Sequence, residues 1–288
     1  MKVWIGGRVV DGSEARIPVT DHGLLYGDGI FEGLRIYGRR LFRLEDHLRR
    51  FGAAARAVGL ELPGGLDAVR RAVVEVSQAW DRDEAYLRLV ATRGEGELGV
   101  DPTKCKDPTI FCIADGIRIY PAERLERGID LVTVSVRRPA ADALDPRIKS
   151  LNYLNNVLAK REAVLRGADE GLILNAAGHI AEALVANVFA VRDGVLTTPP
   201  ANDGALEGIT RASVLDIAGE LGIEAREATL GRFDLFSADE CFLTGTGARI
   251  VPVATLDDAR IGEGGCGPVT RRVMEAFDDF ALRHGTPF

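Results

Sequence analysis

Lysine is scarce in this chain. Only five lysines (2, 104, 106, 149 and 160) occur among 36 basic residues, the other 31 being arginine. No block of five or more basic residues appears, and with 43 acidic residues the net charge is −7, which argues against a nucleic-acid surface. No apolar run approaches the ~18 residues of a membrane span, and Met1-Lys2-Val3-Trp4-Ile5-Gly6-Gly7 lacks the apolar core of a signal peptide. The four cysteines (105, 112, 241 and 266) form no C-x-x-C pair and no metal-ligand spacing. Reduced thiols in a cytoplasmic protein without a metal are therefore expected. Internal repeats and low-complexity tracts are absent too.

What remains is material for two domains: 288 residues, 46% hydrophobic and 27% charged. Hairpins are expected around Gly6-Gly7 and Gly38-Arg39. Leu44, Leu48, Phe51, Ala55 and Val58 recur at helical spacing, and further helices are expected over Leu66–Trp80, from about Tyr153 to Gly167, and over Thr210–Leu221 and Pro268–Leu282. Strands are read at Ile30–Tyr37, Ala85–Thr92, Thr109–Ala114, Ile129–Val136, Gly171–Leu174, Asn187–Val191, Glu240–Thr244 and Ile250–Ala254. The βαβ alternation is irregular, which favours two α+β domains over a doubly wound sheet. The expected division is 1–117, a linker at 118–128, and 129–288.

Several residue groups bear on chemistry. An isolated lysine is ordinarily a solvated charge, yet Lys149 stands beside Tyr153 and the amides Asn152, Asn155 and Asn156. Arginine stays protonated at any useful pH, whereas a desolvated lysine can become a neutral amine and form a Schiff base. Leu206-Glu207-Gly208-Ile209-Thr210 enters a helix whose amides and Thr210 hydroxyl suit a phosphate, although from these letters alone a plain Thr-capped start is the preferred reading. Thr244-Gly245-Thr246-Gly247 is a second possible anion turn. Glu182 precedes the apolar run Ala183-Leu184-Val185-Ala186, where a carboxylate needs a partner, either a cofactor or a backbone amide. Arg50 lies off the apolar stripe of its helix; Tyr26, Tyr86 and Arg88 fall where a strand pattern can turn them toward a cavity, and Tyr86 and Arg88, two apart, share one face. Gly262-Glu263-Gly264-Gly265-Cys266-Gly267 has the form G-x-G-x-x-G but lacks the surrounding βαβ unit, so a surface turn is expected. An amine, a carboxylate and two phosphate nests together are what pyridoxal phosphate requires.

The chain resembles the fold-type IV (class IV) pyridoxal-phosphate aminotransferases, the family of branched-chain and D-amino-acid aminotransferases and aminodeoxychorismate lyase. The resemblance runs from Asp21-His22-Gly23-Leu24-Leu25-Tyr26-Gly27-Asp28-Gly29-Ile30-Phe31-Glu32-Gly33-Leu34-Arg35 through His47-Leu48-Arg49-Arg50 and the Lys149 segment. It continues through Glu182 with Asn187-Val188-Phe189, then Gly204-Ala205-Leu206-Glu207-Gly208-Ile209-Thr210-Arg211 and Phe242-Leu243-Thr244-Gly245-Thr246. It implies a two-domain α+β architecture like that of D-amino-acid aminotransferase, and a homodimer in which residues near Gly99-Val100 reach the partner's site. It also implies that Lys149 bonds the cofactor and shuttles the proton, Glu182 faces the pyridine nitrogen, and Tyr153 meets the phenolic oxygen. Arg50, Gly208, Ile209, Thr210 and Thr246 would hold the phosphate, with Leu206 on the ring. Tyr26, Phe31, Arg35, Tyr86, Arg88, Gly247 and Ala248 would line the substrate pocket, with Arg88 receiving the distal carboxylate of glutamate. The closest branch is the branched-chain one, with 2-oxoglutarate as acceptor. D-amino-acid or R-amine transamination is the alternative, followed by the lyase and then by a non-catalytic cofactor-binding protein. Two places depart from the family pattern: Ala183-Leu184 replace glycine and a small hydroxyl residue, and Gly247-Ala248-Arg249 replace two alanines and an acid.

Overall fold

Two large sheets organise the computed structural model, which describes residues 1–116 and 120–288. The chain divides into two compact units, Met1–Ile117 with Ile148–Asn152 and Ala281–Phe288, and Arg118–Arg147 with Tyr153–Phe280. The lysine segment and the final segment thus group with the first unit, across the continuous division expected from the sequence. Helix Ala122–Arg127 occupies most of the stretch expected as a linker, whose residues 118 and 119 lie outside the described residues.

In the first unit, strands Gly285–Pro287, Arg40–Phe42, Gly29–Tyr37, Ala85–Thr92, Thr109–Asp115, Lys2–Ile5 and Arg8–Asp11 pair in that order, antiparallel throughout. The central pair is in register from Gly29↔Thr92 to Ile36↔Ala85. Strand alternation then assigns the faces. Ile30, Leu34 and Ile36 join Leu87, Leu89 and Ala91 in a core. Phe31, Gly33, Arg35, Tyr86 and Arg88 share the other face. Helices Leu44–Ala57 and Gly65–Trp80 close the core with Leu48, Phe51, Val69, Val73 and Val76. Each such fully buried aliphatic or aromatic side chain contributes about 1.5–3 kcal/mol.

The second unit holds a mixed sheet. Ile180–Ala183, Glu170–Leu174, Ile129–Arg137, Arg249–Leu256, Glu240–Gly245, Asn187–Arg192, Val195–Thr198 and Ala225–Glu227 lie in that order, with parallel and antiparallel neighbours. Helix Leu154–Leu165 packs on Ile129–Arg137 and Glu170–Leu174, and helix Ile209–Glu220 on Glu240–Gly245. Val188, Ala190, Cys241 and Leu243 enter one core, which leaves Asn187, Phe189, Phe242 and Thr244 on the opposite face. Both units are α+β, as the irregular alternation predicts.

The glycine-rich segment 262–267 is the expected turn. It leads into helix Pro268–Arg283, whose Val269 and Thr270 amides donate to the Glu240 carboxylate at 2.9 and 2.7 Å. That helix start is therefore filled by the protein's own anion, which excludes a dinucleotide phosphate there. All four cysteines are free thiols. Among the described residues, no helix is long and apolar enough to cross a membrane.

Candidate active site

Lys149 is held by the backbone on either side of it. Phe31 N donates to Lys149 O and Leu151 N donates to Gly29 O, each at 2.9 Å, which adds the lysine segment to the start of strand Gly29–Tyr37. The amine lies 4.6 Å above the Phe31 ring centroid. Arg88 stacks on the same ring at 4.5 Å and donates from Nη2 to the Tyr86 hydroxyl at 3.0 Å. A side chain at position 33 would overlap that hydroxyl, so glycine is what lets Tyr86 lean across the strand. Lys149, Phe31, Tyr86 and Arg88 thus meet as one cluster.

Two other expected substrate residues have different neighbours. Arg35 is buried, pairs with Glu84 at 3.0 Å and lies 5.2 Å over the Tyr37 ring. Tyr26 ends a short helix capped by Asp21, and its hydroxyl accepts from Gly99 N at 2.8 Å. The Asp21–Gly33 motif has a structural basis as well: buried Asp21 accepts from Gly23 N and from the Thr92 hydroxyl, both at 2.7 Å.

Arg50 projects from helix Leu44–Ala57 onto Glu32. Its Nε and Nη2 donate to Glu32 Oε1 and Oε2 at 2.7 and 2.8 Å, and His47 Nδ1 lies 2.8 Å from Oε2. Glu32 is fully buried. Burial alone would raise its carboxyl, but Arg50 and His47 outweigh that and hold it well below the usual carboxylate range. Burial lowers His47 below the ordinary imidazole value, more than Glu32 raises it.

In the second unit, Glu182 sits on strand Ile180–Ala183 with both oxygens engaged. Arg138 Nη2 donates to Oε1 at 2.5 Å, while Asn187 Nδ2 and Leu206 N each donate to Oε2 at 3.0 Å. Arg138 also donates to Gly204 O at 3.0 Å, and Asn187 to Leu206 O at 2.9 Å. The loop at 204–208 is thereby stitched to the carboxylate. Gly208 follows as the N-cap of helix Ile209–Glu220, with no side-chain capping bond. A Cβ at 208 would overlap Asn187 Oδ1, so the close approach of loop and amide requires glycine. The expected residues Glu182, Leu206, Gly208, Ile209 and Thr210 therefore form one continuous set, with first-turn amides suited to an anion. Thr246 lies two residues beyond Thr244, the direct strand partner of Asn187, on the turn that includes Gly247 and Ala248. Arg249, which follows, has a φ of 63°, pairs with Asp278 and lies 5.6 Å over the Phe277 ring. Tyr153 is the half-buried N-cap of helix Leu154–Leu165.

Sequence reasoning missed four groups. Arg138 lies in Val136-Arg137-Arg138-Pro139, where nothing in the letters separates it from 30 other arginines. Asn187, Glu32 and His47 lie inside quoted motifs without an assigned role, although a carboxylate between Phe31 and Leu34 in an apolar strand is itself a signal. Thr244, which the sequence already places in the second anion turn, is 1% exposed, and its Oγ1 has no hydrogen-bond partner among the described residues.

With this geometry in hand, known proteins are informative. A family model described as amino-transferase class IV matches residues 29–256. A putative branched-chain-amino-acid aminotransferase of Methanocaldococcus jannaschii is 44% identical over 285 residues, covering 99% of this chain and 98% of that protein. The crystal structure of the Escherichia coli branched-chain amino acid aminotransferase superposes with a TM-score of 0.94 at 36% identity, covering 98% of this chain and 95% of that one. The T.th. branched-chain amino acid aminotransferase complexed with N-(5′-phosphopyridoxyl)-L-glutamate gives 0.91 at 35% identity, covering 98% and 94%.

Proposed function

Because the chain belongs to the class IV aminotransferases, we propose that it holds pyridoxal 5′-phosphate on Lys149 and moves an amino group between a branched-chain L-amino acid and 2-oxoglutarate. The observation that carries this reading is the caged carboxylate of Glu182, stitched to a helix start that has a glycine cap and no side-chain capping bond. That donor set fits the cofactor. Glu182 would keep a proton on the pyridine nitrogen, and the Ile209 and Thr210 amides, Thr246 and Arg50 would take the phosphate. Leu206 would bound the ring, and Tyr153 would meet its phenolic oxygen. When bound, the cofactor supplies the electron sink that transamination needs. Lys149 Nζ takes the proton from the α-carbon of the donor and returns one to the acceptor in the reverse half-reaction.

The cluster of Phe31, Tyr86 and Arg88 supports the substrate choice. Phe31 would offer an apolar wall to a branched side chain, and Tyr26 would belong to the same pocket. Arg88, oriented by the Tyr86 hydroxyl, would accept the distal carboxylate of glutamate. The relative crystallised with a phosphopyridoxyl-glutamate adduct is consistent with that acceptor. The α-carboxylate would lie at the Gly247-Ala248 turn. A homodimer belongs to the same reading, supported by exposed Leu154, Val157, Leu158, Val164 and Leu165 on one stripe of helix Leu154–Leu165 and by exposed Leu98 and Val100. A cytoplasmic setting is part of it too, in keeping with the free thiols.

A donor panel of L-leucine, L-glutamate, D-alanine, D-glutamate and an R-arylamine, each with 2-oxoglutarate, tests the proposal. Turnover is expected on the L-donors, and activity confined to D-donors or the amine would overturn the substrate assignment. Lys149→Ala is expected to abolish both the visible absorbance of bound cofactor and turnover.

A further inference from the structure

We infer that Glu32 and His47 are positioning residues that fix the guanidinium of Arg50 for the cofactor's phosphate. The inference rests on the reading that Arg50 binds that phosphate, and it goes beyond that reading by naming what aims the arginine.

Glu32 occupies a core position of strand Gly29–Tyr37, between Ile30 and Leu34, which are fully buried. A carboxylate in such a place is costly unless paired. Even paired, a buried ion pair is often no more stabilising than two apolar side chains of the same volume. Stability is therefore a poor reason for this pair, and orientation is a better one. An arginine side chain carries about 2 kcal/mol of rotamer entropy, which a two-point fork largely removes. Here the fork is complete: Nε and Nη2 each meet their own Glu32 oxygen at 2.7 and 2.8 Å, so the guanidinium plane cannot turn. The Nη1 corner then points away from Glu32.

His47 fixes the carboxylate from its other side. It stands one helical turn before Arg50, and its Nδ1 shares Glu32 Oε2 with Arg50 Nη2. A carboxylate only accepts, so Nδ1 carries the hydrogen, and a neutral imidazole leaves Nε2 as a bare lone pair. That Nε2 is buried without a partner among the described residues. A neutral orienter braces Glu32 without replacing Arg50 as its counter-charge.

Two effects of Glu32 on a phosphate oppose each other. Its charge offsets that of Arg50 and weakens attraction, while its fork aims the arginine and strengthens it. The experiment measures the affinity of the full-length protein, cleared of cofactor, for pyridoxal 5′-phosphate and for pyridoxal, which has the same ring and aldehyde without the phosphate. If orientation dominates, Glu32→Gln and His47→Leu lower the ratio of the two affinities about tenfold, the scale of one charge-assisted hydrogen bond. His47→Asn, whose side-chain amide can replace Nδ1–H, is expected to retain most of the ratio. A ratio that rises in Glu32→Gln, or equal weakening of both ligands in Glu32→Gln and His47→Leu, overturns the inference. Should Glu32→Gln fail to fold, the contrast between His47→Leu and His47→Asn decides alone. Arg50→Ala separates the two levels. If it leaves the ratio unchanged, the phosphate reading falls and the inference with it. If it lowers the ratio while the Glu32 and His47 variants do not, only the inference falls.

Discussion

Arg138 Nη2 donates to Glu182 Oε1 across 2.5 Å, and the two side chains are 8% and 7% exposed. This pair ties the carboxylate that would face the cofactor to the loop carrying Leu206 and Gly208. Removing one member of a buried pair strands the other, at a cost of about 3–5 kcal/mol. Arg138→Met should therefore lower unfolding stability by that amount in a denaturant titration. Adding Glu182→Gln should recover part of the loss. Equal stability of Arg138→Met and the wild type would show that the pair is dispensable.

Gly208 has an ordinary φ of −66°, so its requirement is space and not backbone freedom. Gly208→Ala forces a methyl into Asn187 Oδ1 and pushes the helix start away from Glu182. Overpacking of this kind costs about 1–3 kcal/mol. Cofactor affinity, followed by absorbance on titration, should fall with stability. Ala inserted at Gly219, where nothing lies within 4 Å, is the matched control and should leave both unchanged or improved.

The buried Glu32–His47 pair contributes to the acid limb of stability. His47 is held below its ordinary value of 6.5, chiefly by burial, so the unfolded chain binds a proton there before the native one does. Glu32 is also depressed, because Arg50 and His47 outweigh its burial. Both contributions are present above the unfolded-state values and are lost as pH falls through the native ones. Stability should decline first below pH ~6.5 and again below ~4.3, with a slope of at most about 1.4 kcal/mol per pH unit per group. His47→Asn should flatten the first decline and Glu32→Gln the second, as measured by denaturant titrations across pH.

If helix Leu154–Leu165 forms an interface, a charge on its exposed stripe will break it. Leu158→Glu and Leu165→Glu together should convert a dimer to a monomer in light scattering, with the folded circular dichroism retained. A wild-type monomer at micromolar concentration would remove the dimer from the proposed function.

Much of this was legible because periodicity reports burial. Leu44, Leu48, Phe51 and Ala55 turn one helical face to the core, and the helix appears over Leu44–Ala57. Strand Ala85–Thr92 was equally plain from its apolar alternation. Ile180–Ala183 was not, because it is buried on both faces and has no alternation to read. Gly285–Pro287 hid behind a glycine and a proline, residues tolerated in an edge strand but uninformative in a sequence. In the candidate site, Lys149 and Glu182 stand out in the sequence as the scarce amine and the misplaced acid. Their supports do not: Arg138 reaches Glu182 from 44 residues away, and only a fold brings such pairs together.

The strand Gly285–Pro287 closes the edge of the first sheet against Arg40–Phe42, with Thr286 opposite Leu41 and 245 residues between Arg40 and Gly285. On a ribosome adding about 5–20 residues per second, strand Arg40–Phe42 emerges some 10–50 s before its partner is made. During that interval its outer edge has no neighbour, and an open edge invites pairing with another nascent chain. Arg39 and Arg43 flank this strand and Arg40 lies within it, and their charges repel a second copy. Expression and aggregation of this protein are therefore expected to depend on translation speed and on any extension fused after Phe288, through a sheet whose other strands are already complete.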